Sequence, residues 1–258
     1  MRDTLTSRGL ADFLFEIASD ERIGILEAIA KQPLKHAAIA RGQGMTGSET
    51  TRHLNRLVAA GLVAKNHRGE YELTGLAEVL RVGLPLFEFL TTHRDFMLTH
   101  RVGALEPAFV ERLGELNRCR FVSGTYDVVA AQESALRSVH RRAWVVTEQR
   151  FEQAIPILRE KSENGADIRV VRSRRLVEEE RRGGRDVKRN FPVKVLDEVP
   201  VFLAVLDDQA GICVPNLEGK VDMATMMLVT DPVGCRWSED LFVRLWDRAD
   251  PWRIPFPD

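Results

Sequence analysis

The chain has little that would commit it to a disulfide framework, a membrane or a metal. Its 258 residues include three cysteines, Cys119, Cys213 and Cys235. They stand far apart, in odd number and without metal-ligand spacing, which suits a reducing compartment better than a cross-linked scaffold. No apolar run approaches the roughly 18 residues that cross a bilayer, and Met1 to Ser7 lacks the apolar core of a secretion signal. A cytoplasmic protein with no membrane partner is the expectation. Charge of one sign is also lacking: the formal net charge is -1, so any site for a polyanion has to be a local patch. Catalytic signatures are missing too, with no phosphate-cradling G-x-x-x-x-G-K-[ST] loop, no G-x-S-x-G elbow and no H-E-x-x-H zinc motif. None of the six histidines is followed two residues on by the lysine that a phosphodiester-cleaving histidine needs. No cofactor, metal or catalytic residue is therefore expected, and His93, His100 and His140 are assigned surface or capping roles.

What is present is enough apolar residue, 44% against 29% charged, to fill two modest domains. Leu10, Phe13, Leu14 and Ile17 recur at helical spacing, as do Ile23, Leu26 and Ile29 behind a capping Ser19 or Asp20. After Pro33 come a short segment Leu34 to Arg41, a glycine-bearing turn Gly42 to Met45, and a helix that stops at Gly61. Thr46-Gly47-Ser48-Glu49 spells a capping box at the start of that helix. Leu62 to Ala64 and Glu70 to Leu73 read as strands around a polar loop, Lys65 to Gly69, which would form a wing. Helical periodicity resumes at Thr74, and a further long helix is expected beyond Pro85.

Between Lys35 and Arg68 there are six Lys or Arg and one acidic residue, Glu49, so this segment is locally +5. If the helix packs through Thr50, Leu54, Leu57 and Val58, its other face shows Ser48, Thr51, Arg52, Asn55 and Arg56. Hydroxyl, amide and guanidinium groups read base edges in a major groove, while Lys35, Lys65, His67 and Arg68 are placed to meet phosphate. These nine residues are the candidate contacts to double-stranded DNA. The motif from Ile39 to Leu54, continued by Leu57, Val58 and Gly61-Leu62-Val63, resembles ArsR-like winged-helix regulators. Glu49 departs from that pattern, where threonine is usual, and would repel phosphate unless the capping box holds it. A protein-docking role is the plainer alternative for the same surface.

From about Gly103 short β-rich runs alternate with helical stretches. Cys119 to Val122, Ala143 to Val146, Ile168 to Val171, Val201 to Leu206 and Ile212 to Val214 are the expected strands; Val128 to Val139, Phe151 to Asn164 and Ser238 to Ala249 are the expected helices. The alternation predicts an α/β sandwich with a mainly parallel sheet. The segment from Thr92 to Leu116, the run Val201 to Asp208 and the ending Trp237 to Trp246 are similar to the archaeal regulators of the methanogenesis regulatory protein FilR type. That resemblance implies an ArsR-like winged helix joined to a domain distantly like the phospholipase D fold, with a regulatory role. The whole is then an α+β two-domain chain: residues 1–85 bind DNA, 86–102 form a dimerisation or linker helix, and 103–258 form an α/β regulatory domain.

The arginine-rich stretch Arg169 to Arg189 is locally +5. Arg172, Arg174 and Arg175 follow a strand, where ligands gather in open α/β sheets, and can clamp a carboxylate or phosphate. An exposed loop and helix of mixed charge, with Glu178 to Glu180 offsetting the arginines, is the plainer account of that stretch; Thr125 and Tyr126, after the earlier strand, are second candidates for contact with an unknown small-molecule effector. The functional expectation is a homodimeric regulator on a pseudo-palindromic operator. A phosphodiester-acting enzyme delivered by a winged helix and a thiol-based redox regulator are the alternatives.

Overall fold

A computed structural model describes residues 9–182 and 190–252. Arg185, Asp186, Lys188 and Arg189 of the arginine-rich stretch lie outside the described residues. Contacts divide the chain into two compact units, Met1–Leu84 and Pro85–Asp258.

The first unit contains α1 (Leu10–Ile17), α2 (Asp20–Lys31), α3 (His36–Gln43), α4 (Gly47–Ala59), β1 (Val63–Lys65) and β2 (Tyr71–Leu73). The Ser19 hydroxyl caps α2 by accepting from the Arg22 N–H. Arg22 is itself buried and donates through Nη2 to the Phe15 carbonyl at 2.8 Å, satisfying an acceptor near the end of α1. Ile25, Leu26, Ile29, Ile39, Leu54, Leu57 and Leu62 form the core. The strands pair antiparallel with Val63 opposite Leu73, and Leu34 bridges to Tyr71 as a third short rung. This is the winged helix-turn-helix arrangement that the sequence implies.

Helix α5 (Gly75–Thr92) runs straight through Pro85, where the sequence suggested a break. Proline removes one N–H and crowds the preceding turn, but neither prevents the helix from continuing here. Short helices α6 (Arg94–Thr99) and α7 (Pro107–Val110) follow, then a 3-10 turn over Leu113–Leu116.

The second unit is built on one eight-stranded sheet. Its strands are β3 (Arg120–Ser123), β4 (Arg142–Thr147), β5 (Asp167–Ser173), β6 (Val193–Leu196), β7 (Phe202–Leu206), β8 (Gln209–Cys213), β9 (Thr225–Val229) and β10 (Asp250–Pro251). They lie in the order β10-β6-β5-β4-β7-β8-β9-β3. After β3 the described helices of this unit are α8 (Thr125–Arg137), α9 (Ala154–Glu163), α10 (Arg174–Arg182) and α11 (Pro232–Arg248).

Every residue of β7 is buried, and its side chains alternate between two cores, as period-2 geometry requires. Phe202, Ala204 and Leu206 join Val128, Leu136, Ile157 and Leu158 of α8 and α9. Leu203 and Val205 join Trp237, Leu241, Phe242 and Leu245 of α11. The sheet is thus sandwiched between helices on both faces.

The sheet is not mainly parallel. Only β4–β5 and β5–β6 pair in parallel, while β10–β6, β4–β7, β7–β8, β8–β9 and β9–β3 are antiparallel. One of these pairs is set locally: Asp207-Asp208 turns β7 directly into β8, with Leu206 opposite Gln209, and no helix intervenes. Asp207 adopts φ 48, and its carboxylate accepts the His140, Arg141 and Arg142 N–H groups at 2.8 to 3.0 Å.

Candidate nucleic-acid interface

The turn between α3 and α4 is built by Gly44 at φ 63, a left-handed conformation that favours glycine. Thr46 then caps α4. Its hydroxyl accepts the Glu49 N–H at 3.3 Å, and Glu49 Oε2 accepts the Thr46 N–H at 2.9 Å and its hydroxyl at 2.7 Å. The backbone bond from Thr46, then the bond from its hydroxyl, hold the Glu49 carboxyl below its ordinary pKa. Glu49 is therefore ionised and committed to the cap.

Helix α4 buries Thr50, His53, Leu54 and Leu57, an i, i+3, i+4, i+7 stripe. His53 takes the place expected of Val58, which is 44% exposed. Ser48, Thr51, Arg52 and Asn55 share the opposite, exposed face. On that face the Thr51 hydroxyl donates to the Gly47 carbonyl at 2.8 Å, so it can only accept from His36 Nε2 at 2.9 Å. His36, at the start of α3, thereby joins the surface through a contact no local sequence pattern announces. Arg56 sits at the edge of the face: its Nε donates to Glu16 Oε2 at 2.9 Å, and its guanidinium carbon lies 5.0 Å from the Phe15 ring centroid.

Lys35 is exposed immediately before α3, and Lys65, His67 and Arg68 are exposed around the wing turn. Asn66 shapes that turn, its Oδ1 accepting the Arg68 N–H at 2.9 Å and the Glu70 N–H at 3.0 Å. Gly69 completes it at φ 74. The Lys65 ammonium lies 5.6 Å from the centre of the Tyr71 ring.

The buried histidine under this face carries a cost. His53 Nδ1 has no hydrogen-bond partner, and burial first, then the Arg52 charge, lowers its pKa. The unfolded chain takes up a proton near the ordinary histidine pKa of about 6.5, whereas the folded one resists until lower pH. Just below pH 6.5 the unfolded state thus binds more protons, and stability is lost as pH falls from there toward the folded pKa. Urea unfolding between pH 7.5 and 5.5 should show this loss, and His53→Gln should flatten it; an unchanged slope in that variant would assign the pH dependence elsewhere.

The candidate effector residues are not brought together. Thr125 and Tyr126 open α8 and are exposed. Arg174 binds Asp197 at 2.6 Å and Asp250 at 2.9 Å, and Arg175 is 73% exposed beside Glu179. Arg172 points the other way and is 5% exposed. Its Nη1 and Nη2 donate to Glu180 at 2.5 and 2.6 Å. His100 is not a surface residue either: it is buried, with Nε2 3.0 Å from Asp222 and its ring stacked on Phe96. Among the described residues, no group of three His, Cys, Asp or Glu side chains is placed to hold a metal, and no helix is long and apolar enough to cross a membrane.

Solved structures with partial likeness include TrmBL2, an archaeal chromatin protein, at 13% identity over 92% of this chain and 95% of that one, with a TM-score of 0.42. Nuc, a phospholipase D family member from Salmonella typhimurium, matches at 11% identity over 53% of this chain and 100% of its own, with a TM-score of 0.40. HmgR from Pseudomonas aeruginosa matches at 17% identity, 88% and 93% coverage and a TM-score of 0.27. At these scores the likeness carries no functional argument. No curated protein matches the chain. The family model described as bacterial regulatory protein, arsR family, matches residues 19–65, the span from the cap of α2 through α4 to β1, so the chain carries an ArsR-type helix-turn-helix.

Proposed function

We propose that the chain is a transcription regulator that binds duplex DNA through α4 and the wing, as a homodimer whose C-terminal unit responds to a small-molecule effector. The observation that carries the reading is the capped helix α4, whose exposed face presents Ser48, Arg52 and Asn55, in the same unit as exposed Lys35 before α3 and Lys65, His67 and Arg68 of the wing. A helix in the major groove needs such a face, and phosphates need such flanks. Dimerisation is supported by α5, which leaves Leu76, Val79, Val82 and Phe87 between 50% and 82% exposed; a second copy would remove this apolar surface from water. In this reading residues 86–102 belong to the dimerising segment and 103–258 to the effector domain.

Two other readings have less support. Burial first of all pushes the thiols of Cys119 and Cys213 up to about 12 and that of Cys235 up to about 11. They are protonated at neutral pH, and a thiol-based switch needs a thiolate. The enzyme reading lacks the histidine-lysine pair that phosphodiester cleavage would use.

Footprinting on genomic fragments, followed by fluorescence anisotropy on the recovered site, tests the proposal. Six or more phosphate contacts per dimer predict that affinity falls roughly a thousandfold or more between 50 and 200 mM salt. A flat salt profile, or no protected site at all, would overturn it.

A further inference from the structure

Between α8, α9 and one face of the sheet lies a cavity of about 110 Å³, partly open to solvent. Leu136, Phe151, Ile157, Leu158 and Phe202 give it apolar walls. Arg150 and Arg172 line it as well. Arg172 stands opposite Thr147 in the parallel β4–β5 ladder, at the carboxyl ends of both strands, which is where open α/β sheets receive ligands. The cavity therefore combines a hydrophobic interior with guanidinium groups at the favoured end of the sheet.

The two arginines are not equivalent. Arg172 spends two nitrogens on both oxygens of Glu180 at 2.5 and 2.6 Å. Arg150 reaches Glu180 only through Nε, at 3.3 Å, and its Nη1 approaches Glu152 at 3.9 Å. Its terminal nitrogens thus retain donor capacity for an incoming anion. The acidic residue of the wall, Glu133, is already paired with Arg137 at 2.6 Å. An apolar cavity of roughly 150 Å³ takes up benzene, so one of this size suits a single ring or a chain of a few carbons.

We infer that this cavity binds a small carboxylic acid with an aryl or short alkyl body, the body between α8 and α9 and the carboxylate on Arg150. The inference rests on the effector reading and gives its ligand class. Arg150 is the specificity-determining residue, because the apolar walls alone do not distinguish an acid from a neutral isostere.

Calorimetric titration of the full chain without DNA tests this, with benzoate, hexanoate and phenyl phosphate as acids and benzyl alcohol as the neutral comparison. Saturable benzoate binding at least tenfold tighter than benzyl alcohol is expected. Arg150→Gln should remove that preference and leave benzyl alcohol unaffected; the side chain is 28% exposed, and an unchanged melting temperature would show that the variant folds. No saturable binding, equal affinity for benzoate and benzyl alcohol, a benzoate preference that survives Arg150→Gln, or phenyl phosphate binding tenfold tighter than either carboxylate would each overturn the assignment. The same protein is titrated with its DNA site separately. Benzoate binding without DNA binding would overturn the regulator and keep the cavity, and DNA binding without benzoate binding would do the reverse.

Discussion

The double variant Arg52→Ala/Asn55→Ala should lose specific DNA binding by roughly thirtyfold to twenty-thousandfold, because each bidentate contact to a base edge is worth about 1–3 kcal/mol. Both side chains lie on the exposed face of α4. Alanine is at least as good a helix former as either residue, so the N-terminal unit should melt where the parent melts. Arg56→Ala provides the contrast. That guanidinium is tied to Glu16 at 2.9 Å, with the two side chains 37% and 13% exposed, and lies against Phe15. Its removal should cost less than about 1 kcal/mol of stability and leave base discrimination nearly unchanged. Anisotropy on matched and scrambled duplexes separates these outcomes. Parent-like discrimination by the double variant would mean that this face of α4 does not read DNA.

How much of this surface could be read from the sequence follows from the range of the interactions that build it. The turn glycine, the capping box and the wing are decided within four or five residues, and Gly44, Thr46, Glu49 and Gly69 take the expected places. Arg56 was grouped with Arg52 by helical spacing alone, but its partner Glu16 is forty residues away. His36 meets Thr51 across fifteen residues and two helices. Nothing local signals either pairing.

The second unit shows the same limit. The apolar runs of β4, β5 and β7 are legible, whereas Lys194 interrupts Val193–Leu196 and methionine, not a β-branched residue, fills the middle of Thr225–Val229. Strand direction depends on which runs are joined by turns, and Asp207-Asp208 lacks the glycine or asparagine that marks a two-residue hairpin. The arginine cluster was legible as charge but not as geometry. Arg172 still belongs to β5 and alternates inward, while Arg174 already begins α10 and faces Asp197 and Asp250. A clamp drawn from adjacent arginines in sequence therefore falls apart at the strand-helix junction, and Arg150, which also lines the cavity, comes from the loop between β4 and α9.

The inward turn of Arg172 makes Glu180 the acidic residue whose loss should matter most to the C-terminal unit. Both are about 5% exposed, and together they bring opposite charges into a region walled by Val170, Phe191 and Phe202. Such a pair contributes little net stability against an apolar replacement, because desolvation offsets attraction, yet removing one partner strands a buried charge. Glu180→Ala should therefore destabilise this unit by about 3–5 kcal/mol, equivalent to a fall in melting temperature of roughly 6–20 °C for a unit of this size. The paired change Arg172→Met/Glu180→Met removes both charges and should cost markedly less than Glu180→Ala alone. Urea unfolding of the two variants decides the point. If the paired change costs as much as the single one, the loss comes from side-chain packing, and the guanidinium beside the cavity is not held in place by the charge of Glu180.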